Sequence, residues 1–456
     1  IHLRNRNRQK DRWSNVVLLL SNGHMTPITI GHTGEPYALS PNLRLMLRSG
    51  HVFMNAYTAS SCATAARAAL YFGKRPHELQ AYNDCGEFFP IEPGFASELA
   101  AQGVYTVLFG HRGTIAPETL GFMEVVQPQG RQQECAQVQV EHLNTEAAGE
   151  PSAEQPSPEE IWRREVNLVD AAAQWIEAHG RRRAPFVMVI EVGMPSFPRQ
   201  APQEAIEALV DFSSPRWNML PMEGGGHPYT ASLEAYYGKR ELAGNDVQQR
   251  RNAYNAGLHR IDTYLEILQR TLRSELLARR TLFIYTSAYG DMLGRHGLWG
   301  NLGLFEESIH VPLYLSGPGF RRDYPNITPV DHHDVRATIF RATGTMQPEG
   351  WLGTPLQELQ DEVSDREVVS EFHGPGTPGS MFMVRKGSYK YVWYAGERPE
   401  LFNLDSDPAE QENIADKEPE RLGELQQVLE AVCDPAAEHA RAAERMQKQL
   451  RERSLV

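Results

Sequence analysis

Thr286-Ser287-Ala288-Tyr289-Gly290-Asp291-Met292-Leu293-Gly294-Arg295-His296-Gly297-Leu298-Trp299-Gly300 is the most informative part of this chain. It follows an apolar run at 281–286, and similar short runs stand at 16–20, 104–109, 186–192 and 311–315. Each is flanked by Gly, Pro or polar residues, as buried parallel strands are. Helical stretches lie between them at 63–71, 93–102, 160–178 and 246–273. This alternation predicts an α/β fold, a doubly wound sheet with helices on both faces. Ligands in such sheets bind beyond the C-terminal strand ends. Asn22 and Ala288 both fall just past such ends.

The quoted stretch resembles the metal-binding loop of the sulfatases of the alkaline phosphatase superfamily. There Asp-His or Asp-Asn precedes Gly-Asp/Glu-Met-Leu-Gly-x-His-Gly-Leu-Trp. Here Ala288 and Tyr289 stand at the ligand positions. Alanine has no donor atom, and a neutral phenol is a poor ligand for a hard divalent cation. The first strand of the family ends in Ala-Asp-Asp, and here Asn22 and Gly23 replace both carboxylates. The nucleophile motif, Cys/Ser-x-Pro-Ser-Arg-Ala-Ala-Leu, matches Ala63-Thr64-Ala65-Ala66-Arg67-Ala68-Ala69-Leu70. Arg67 fits, the nucleophile position is Ala63, and Cys62 lies one residue early.

Three further segments depart from the pattern. The family's Gly-Lys-x-His appears as Gly110-His111-Arg112-Gly113, and its Phe-His-x-Pro-His as Val192-Gly193-Met194-Pro195-Ser196. The lysine after Gly-Leu-Trp-x appears as Asn301. Within the family the likeness is nearest to choline-sulfatase-type enzymes. It is carried by the segment 78–88 around Tyr82 and Asp84, and by Ser370-Glu371-Phe372-His373-Gly374. The run at 401–413 resembles a general sulfatase signature. The resemblance covers roughly residues 14–435. The character of the sequence changes after about Pro348, so a core domain is expected at 14–348 and a C-terminal subdomain at 349–456. In the latter, strands are expected at 368–372, 382–385 and 389–394, with a turn at Lys386-Gly387-Ser388. Terminal helices are expected at 418–433 and 435–453.

Sulfate-ester hydrolysis of the family type needs a nucleophile, a cation and cationic side chains for the developing charge. The resemblance therefore implies the fold without the family chemistry. One reading is a degenerate sulfatase, a pseudoenzyme that binds a small molecule or a partner, with no cofactor and no metal. The alternative is a repurposed enzyme running metal-independent acid–base chemistry, an elimination, isomerisation or cyclisation. Its candidate acid/base residues are His111, Tyr289 and Asp84. Candidate ligand-binding residues are Asn22, Arg67, Tyr82, His111, Asn301 and Glu371. Asp291 and His296 are expected to hold their loop. His24, His32 and the pair His332-His333 lack a third partner at ligand spacing, which argues against a replacement metal site.

The chain has 456 residues, 41% of them hydrophobic, enough for one large domain and an appendage. A net charge of −13 disfavours nucleic acid or an anionic membrane as main partner. No apolar run approaches the roughly 20 residues that span a bilayer. The cysteines Cys62, Cys85, Cys135 and Cys433 show no metal-type spacing and are expected to stay reduced. A cytoplasmic location is the corresponding expectation. The segment 127–158, rich in Gln, Glu, Ala, Ser and Pro, reads as an acidic surface insertion. The polar terminal helix suits equally a solvated helix or a subunit-crossing tail, the latter in a homo-oligomer or in pairing with an active homologue.

Overall fold

The computed structural model describes residues 13–25, 40–84, 88, 90, 92–110, 115–127, 157–195, 201–208, 226–237, 244–322, 324–363 and 365–453. His111, His32, Cys85, Cys135 and most of the 127–158 insertion lie outside them.

The strand β1 (Asn15–Asn22) is buried along its whole length. Its side chains alternate between the two faces of the sheet, as a pleated strand requires. Val16, Leu18 and Leu20 enter one apolar cluster, and Val17 and Leu19 enter the other. The first cluster also takes residues of α2 (Ala63–Phe72) and α8 (His332–Thr343). The second is covered by α1 (Pro41–Ser49), α5 (Pro158–His179) and α7 (Gly244–Ser274). Two helical layers thus sandwich one sheet, and the non-alternating apolar runs of its strands follow from burial on both faces. The remaining helices named here are α3 (Pro76–Leu79), α4 (Phe95–Ala101), α6 (Pro228–Tyr237), α9 (Pro419–Val432) and α10 (Pro435–Arg453).

The other sheet strands are β2 (His51–Tyr57), β3 (Tyr105–Phe109), β4 (Glu124–Val126), β5 (Phe186–Pro195), β6 (Thr281–Ser287), β7 (Leu313–Ser316) and β8 (Tyr324–Asp331). Their order is β4-β3-β5-β1-β6-β7-β2-β8. The sheet is mixed rather than wholly parallel, because β7 runs antiparallel to both β6 and β2. The sequence reading missed β2, β4 and β8. Strand β8 carries Pro325 and Pro329, which suits an edge. Its outer side is closed by the segment 356–366. Asn326 Nδ2 donates to the Leu359 carbonyl at 2.8 Å, Val363 N–H donates to Thr328 Oγ1 at 2.9 Å, and Arg366 Nη1 donates to the Pro329 carbonyl at 2.6 Å. Asn326 is fully buried, so the Asn-Ile-Thr sequon is closed to modification in the folded chain.

A second, antiparallel sheet follows, in the order β12-β11-β10-β9: β9 (Glu367–Phe372), β10 (Met381–Lys386), β11 (Tyr389–Tyr394) and β12 (Glu400–Asn403). Lys386 pairs with Tyr389 across a two-residue loop, in which Gly387 takes φ +56°. This sheet is stitched to the core by buried polar groups. Lys390 Nζ, fully buried, meets Glu306 Oε1 at 3.0 Å and Glu410 Oε1 at 2.6 Å. Burial alone would push this ammonium down, but the two carboxylates hold it above its ordinary value. Arg366 grips Asp334 with two hydrogen bonds of 2.7 Å. Glu371 N–H donates to the Ala59 carbonyl at 2.9 Å, which brings β9 against the start of α2.

Candidate functional site

The strand ends of β1, β5 and β6 converge on the N-terminal half of α2. Arg67 and Tyr71 are four residues apart on that helix and share one face. Arg67 is 1% exposed and all three of its nitrogens are engaged. Nε meets Glu191 Oε2 at 3.1 Å, Nη2 donates to Asn22 Oδ1 at 2.7 Å, and Nη1 donates to the Ala63 carbonyl at 3.3 Å. The Tyr71 hydroxyl donates to the other Glu191 oxygen. Burial would lower the Arg67 pKa, yet the Glu191 carboxylate more than reverses this and raises it. Burial and then the same carboxylate push the Tyr71 phenol well up. The network is a buried guanidinium–carboxylate pair with a phenol attached.

Sequence reading missed Glu191. Its signal was a lone acid inside the apolar run Phe186-Val187-Met188-Val189-Ile190, where a carboxylate is unstable without a buried partner. Tyr289 is 2% exposed and packs with Ala288 in the same apolar cluster as Leu20. Its ring lies close enough to Arg67 to act on it electrostatically. Ala288 N–H donates to the Ser21 carbonyl at 2.8 Å, and Ser287 Oγ donates to the Tyr289 carbonyl at 2.8 Å. Gly290 is there because a Cβ would come within 1.9 Å of the Glu307 carbonyl oxygen. Asp291 Oδ1 accepts from Leu293 N–H at 3.0 Å and Gly300 N–H at 3.2 Å, closing the loop on itself. His296 stacks on Phe305 at 4.4 Å.

A second group gathers at the first turn of α2. Asp84 Oδ1 accepts from Thr64 N–H at 2.6 Å and so satisfies one of the helix's free N-terminal donors. It also contacts the Cys62 thiol, whose pKa rises well up through burial and then through this carboxylate. Asn301 Nδ2 donates to the Ser61 carbonyl at 2.5 Å. Ala63 heads the helix beside them. A third group lies toward the C-terminal sheet. Glu371, 1% exposed, accepts from His77 N–H at 3.1 Å, from His77 Nδ1 at 2.9 Å and from His373 Nε2 at 2.9 Å. Burial would raise its carboxyl, but His77 and His373 hold it well below the usual range. The Tyr82 ring meets His373 edge-on at 4.9 Å, and burial pushes its phenol up to about 12.

Asn22, Arg67 and Tyr289 are therefore brought together. Asp84 and Asn301 gather at the helix start, and Tyr82 and Glu371 form a separate cluster. Glu371 is already bonded to two imidazoles and to the His77 N–H. The position of His111 lies outside the described residues.

The donor set at the strand ends does not fit the divalent cation of the sulfatase fold. Asn22 Oδ1 accepts from Arg67, and Gly23 and Ala288 carry no donor side chain. Among the described residues, no three His, Cys, Asp or Glu side chains stand in a ligating array.

The sulfatase family model matches residues 14–345, and the chain belongs to the sulfatase family. It is 27% identical over 398 residues to a choline-sulfatase of Rhizobium meliloti (strain 1021), covering 83% of this chain and 78% of that protein. It is 25% identical over 453 residues to arylsulfatase K of Danio rerio, covering 92% and 84%. Among solved structures, the fold is similar to a protein crystallised with its substrate D-glucosamine-2-N,6-O-disulfate, with a TM-score of 0.74, 17% identity, and 92% and 97% coverage. It is also similar to the phosphonate monoester hydrolase of Silicibacter pomeroyi, with a TM-score of 0.73, 17% identity, and 92% and 94% coverage. The architecture is accordingly the sulfatase-like α/β fold with its small C-terminal antiparallel sheet.

Proposed function

We propose that this sulfatase-family chain is a pseudosulfatase, which binds a small molecule or a protein partner and does not hydrolyse sulfate esters by the family's nucleophile-and-metal route. The observation that carries the reading is the state of Arg67. Its guanidinium is paired with Glu191, its amide partner is Asn22, and Tyr289 is near enough to act on it electrostatically. A group that must stabilise charge developing in a transition state needs donors left free for the substrate. Here three of the five N–H donors are already engaged, by Glu191, Asn22 and the Ala63 carbonyl. Ala63 supplies no nucleophilic atom at the head of α2, and Cys62 beside it is a buried, neutral thiol held by Asp84.

The test is turnover of choline sulfate and of an aryl sulfate by the purified full chain, with calcium or magnesium present. The expected rate is that of buffer. Ala63→Cys alone should not rescue it, because catalytic groups that act as a unit are not restored one at a time. Steady turnover by the wild-type chain that disappears in Arg67→Ala would overturn the reading.

A further inference from the structure

A cavity lies between the C-terminal sheet and the core, walled by α6, the segment 303–305, the strands β10, β11 and β12, and Glu410. Its volume is about 10 Å³, room for one water-sized group. Much of the wall is apolar or aromatic, with the rings of Tyr229, Phe305, Tyr394 and Phe402 among the lining. Two acids, Glu400 and Glu410, line it as well.

The two acids differ in what they are bonded to. Glu410 is committed on both oxygens. Oε1 meets Lys390 Nζ at 2.6 Å, and Oε2 accepts from Glu306 N–H at 2.8 Å. Glu400 stands on β12 and is only 4% exposed. Its Oε2 accepts from the Tyr394 hydroxyl at 2.5 Å, and Oε1 has no hydrogen-bond partner among the described residues. A buried carboxylate oxygen without a donor costs free energy. Protonation at Oε1 only exchanges a missing donor for a missing acceptor. Burial outweighs the Tyr394 hydrogen bond and raises the Glu400 carboxyl, so a cation in the cavity would stabilise its charged form.

The wall selects the kind of cation. A hard divalent ion takes about six oxygens or more, and no three acids or imidazoles converge among the described residues. An ammonium group suits the cavity better. It has N–H donors for a carboxylate, and its charge is favoured beside aromatic faces. The rings are held in place by their own contacts. Tyr394 stacks on His227 at 3.9 Å and meets Tyr229 at 4.9 Å, and the Tyr229 hydroxyl donates to the Ala395 carbonyl at 2.8 Å. His227 and Lys390 both act on Glu400, but the Lys390 charge is met by Glu306 and Glu410.

We propose that this cavity binds a small primary ammonium, the free ion or the head of an alkylamine, held by Glu400 among the aromatic rings. It shares no lining residue with the Arg67 group and does not rest on the reading of that group.

Thermal unfolding of the full chain near neutral pH tests it, in ammonium, methylammonium, tetramethylammonium and sodium chlorides at equal ionic strength. Ammonium should raise the midpoint saturably above the sodium control. A rise with methylammonium as well shows that a carbon tail is accommodated. Tetramethylammonium has no N–H to donate and exceeds the cavity, so it should match sodium. In Glu400→Gln the apparent dissociation constant should weaken about tenfold or more, as when a hydrogen bond to a charged group is lost. Glu424→Gln, at an exposed position of α9, should leave it unchanged. In the wild-type chain with methyl-labelled methionine, the Met381 methyl, which lines the cavity, should shift with the same saturation. That measurement needs no variant to fold. No rise above sodium overturns the site, as does an equal rise in tetramethylammonium or one that keeps its affinity in Glu400→Gln. A rise that leaves the Met381 methyl unmoved overturns it as well.

Discussion

Arg67–Glu191 and His77–Glu371–His373 are both buried ion networks, both built around one carboxylate that α2, or the short helix after it, reaches across to meet. They differ in the cation. Arginine keeps its charge at any pH a protein survives, so the cation of the strand-end network does not titrate. Histidine is a cation whose charge depends on pH, and Glu371 raises the His77 imidazole against the effect of burial. The lesson is that the choice of cation decides whether a buried carboxylate network can respond to pH.

The largest expected effect breaks the first network. Arg67→Ala or Glu191→Ala leaves one uncompensated buried charge and should cost about 3–5 kcal/mol in urea unfolding. The double substitution Arg67→Met with Glu191→Leu removes both charges at similar volume and should recover most of that loss. If each single change costs less than about 1 kcal/mol, the pair does not hold the site and the comparison fails.

The second network should show a pH signature that the first lacks. Glu371 and Cys433 are neighbours, and His77 is raised because Glu371 outweighs the effect of burial. A raised histidine contributes stability below its unfolded pKa and loses it as pH rises through the folded value. A depressed carboxyl contributes above its unfolded pKa and loses it as pH falls through the folded value. The pair is therefore whole between those limits. Glu371→Gln should cost about 1–3 kcal/mol in mildly acidic buffer and progressively less as pH rises past the His77 midpoint. A cost that is level with pH would remove the distinction between the two regions. Tyr71→Phe, in contrast, deletes one hydrogen bond to Glu191 and should cost about 1–2 kcal/mol at every pH between 6 and 8, roughly the range of imidazole titration.

The smallest effect concerns the start of α2. Asp84→Asn keeps an acceptor for Thr64 N–H and removes only charge at the helix N-terminus. A change of about 0.3–1 kcal/mol in thermal unfolding is expected. A larger loss would mean that Asp84 does more than cap the helix.

Much of the fold was legible because its central strands are apolar on both faces. Val16 to Leu20 and the run ending at Thr286 needed no partner to be recognised. Strand β2 was missed because His51, Asn55 and Tyr57 interrupt its apolar pattern, and β8 because two prolines mask an edge strand. The direction of β7 was not legible at all, since four residues carry no sign of which neighbour they will pair with. At the site, Asn22, Arg67 and Tyr289 could be placed from motif positions. Glu191 could not, because its role depends on a helix residue 124 positions away in the chain.

The central claim, that a guanidinium–carboxylate pair fills a site unsuited to a cation, is tested most directly by thermal unfolding with calcium or magnesium and after exhaustive chelation. The account predicts one midpoint in all three conditions. A specific site would add about 2.7 kcal/mol when the cation stands at about a hundred times its dissociation constant. A saturable rise of that size, abolished by Asn22→Ala, would contradict the account.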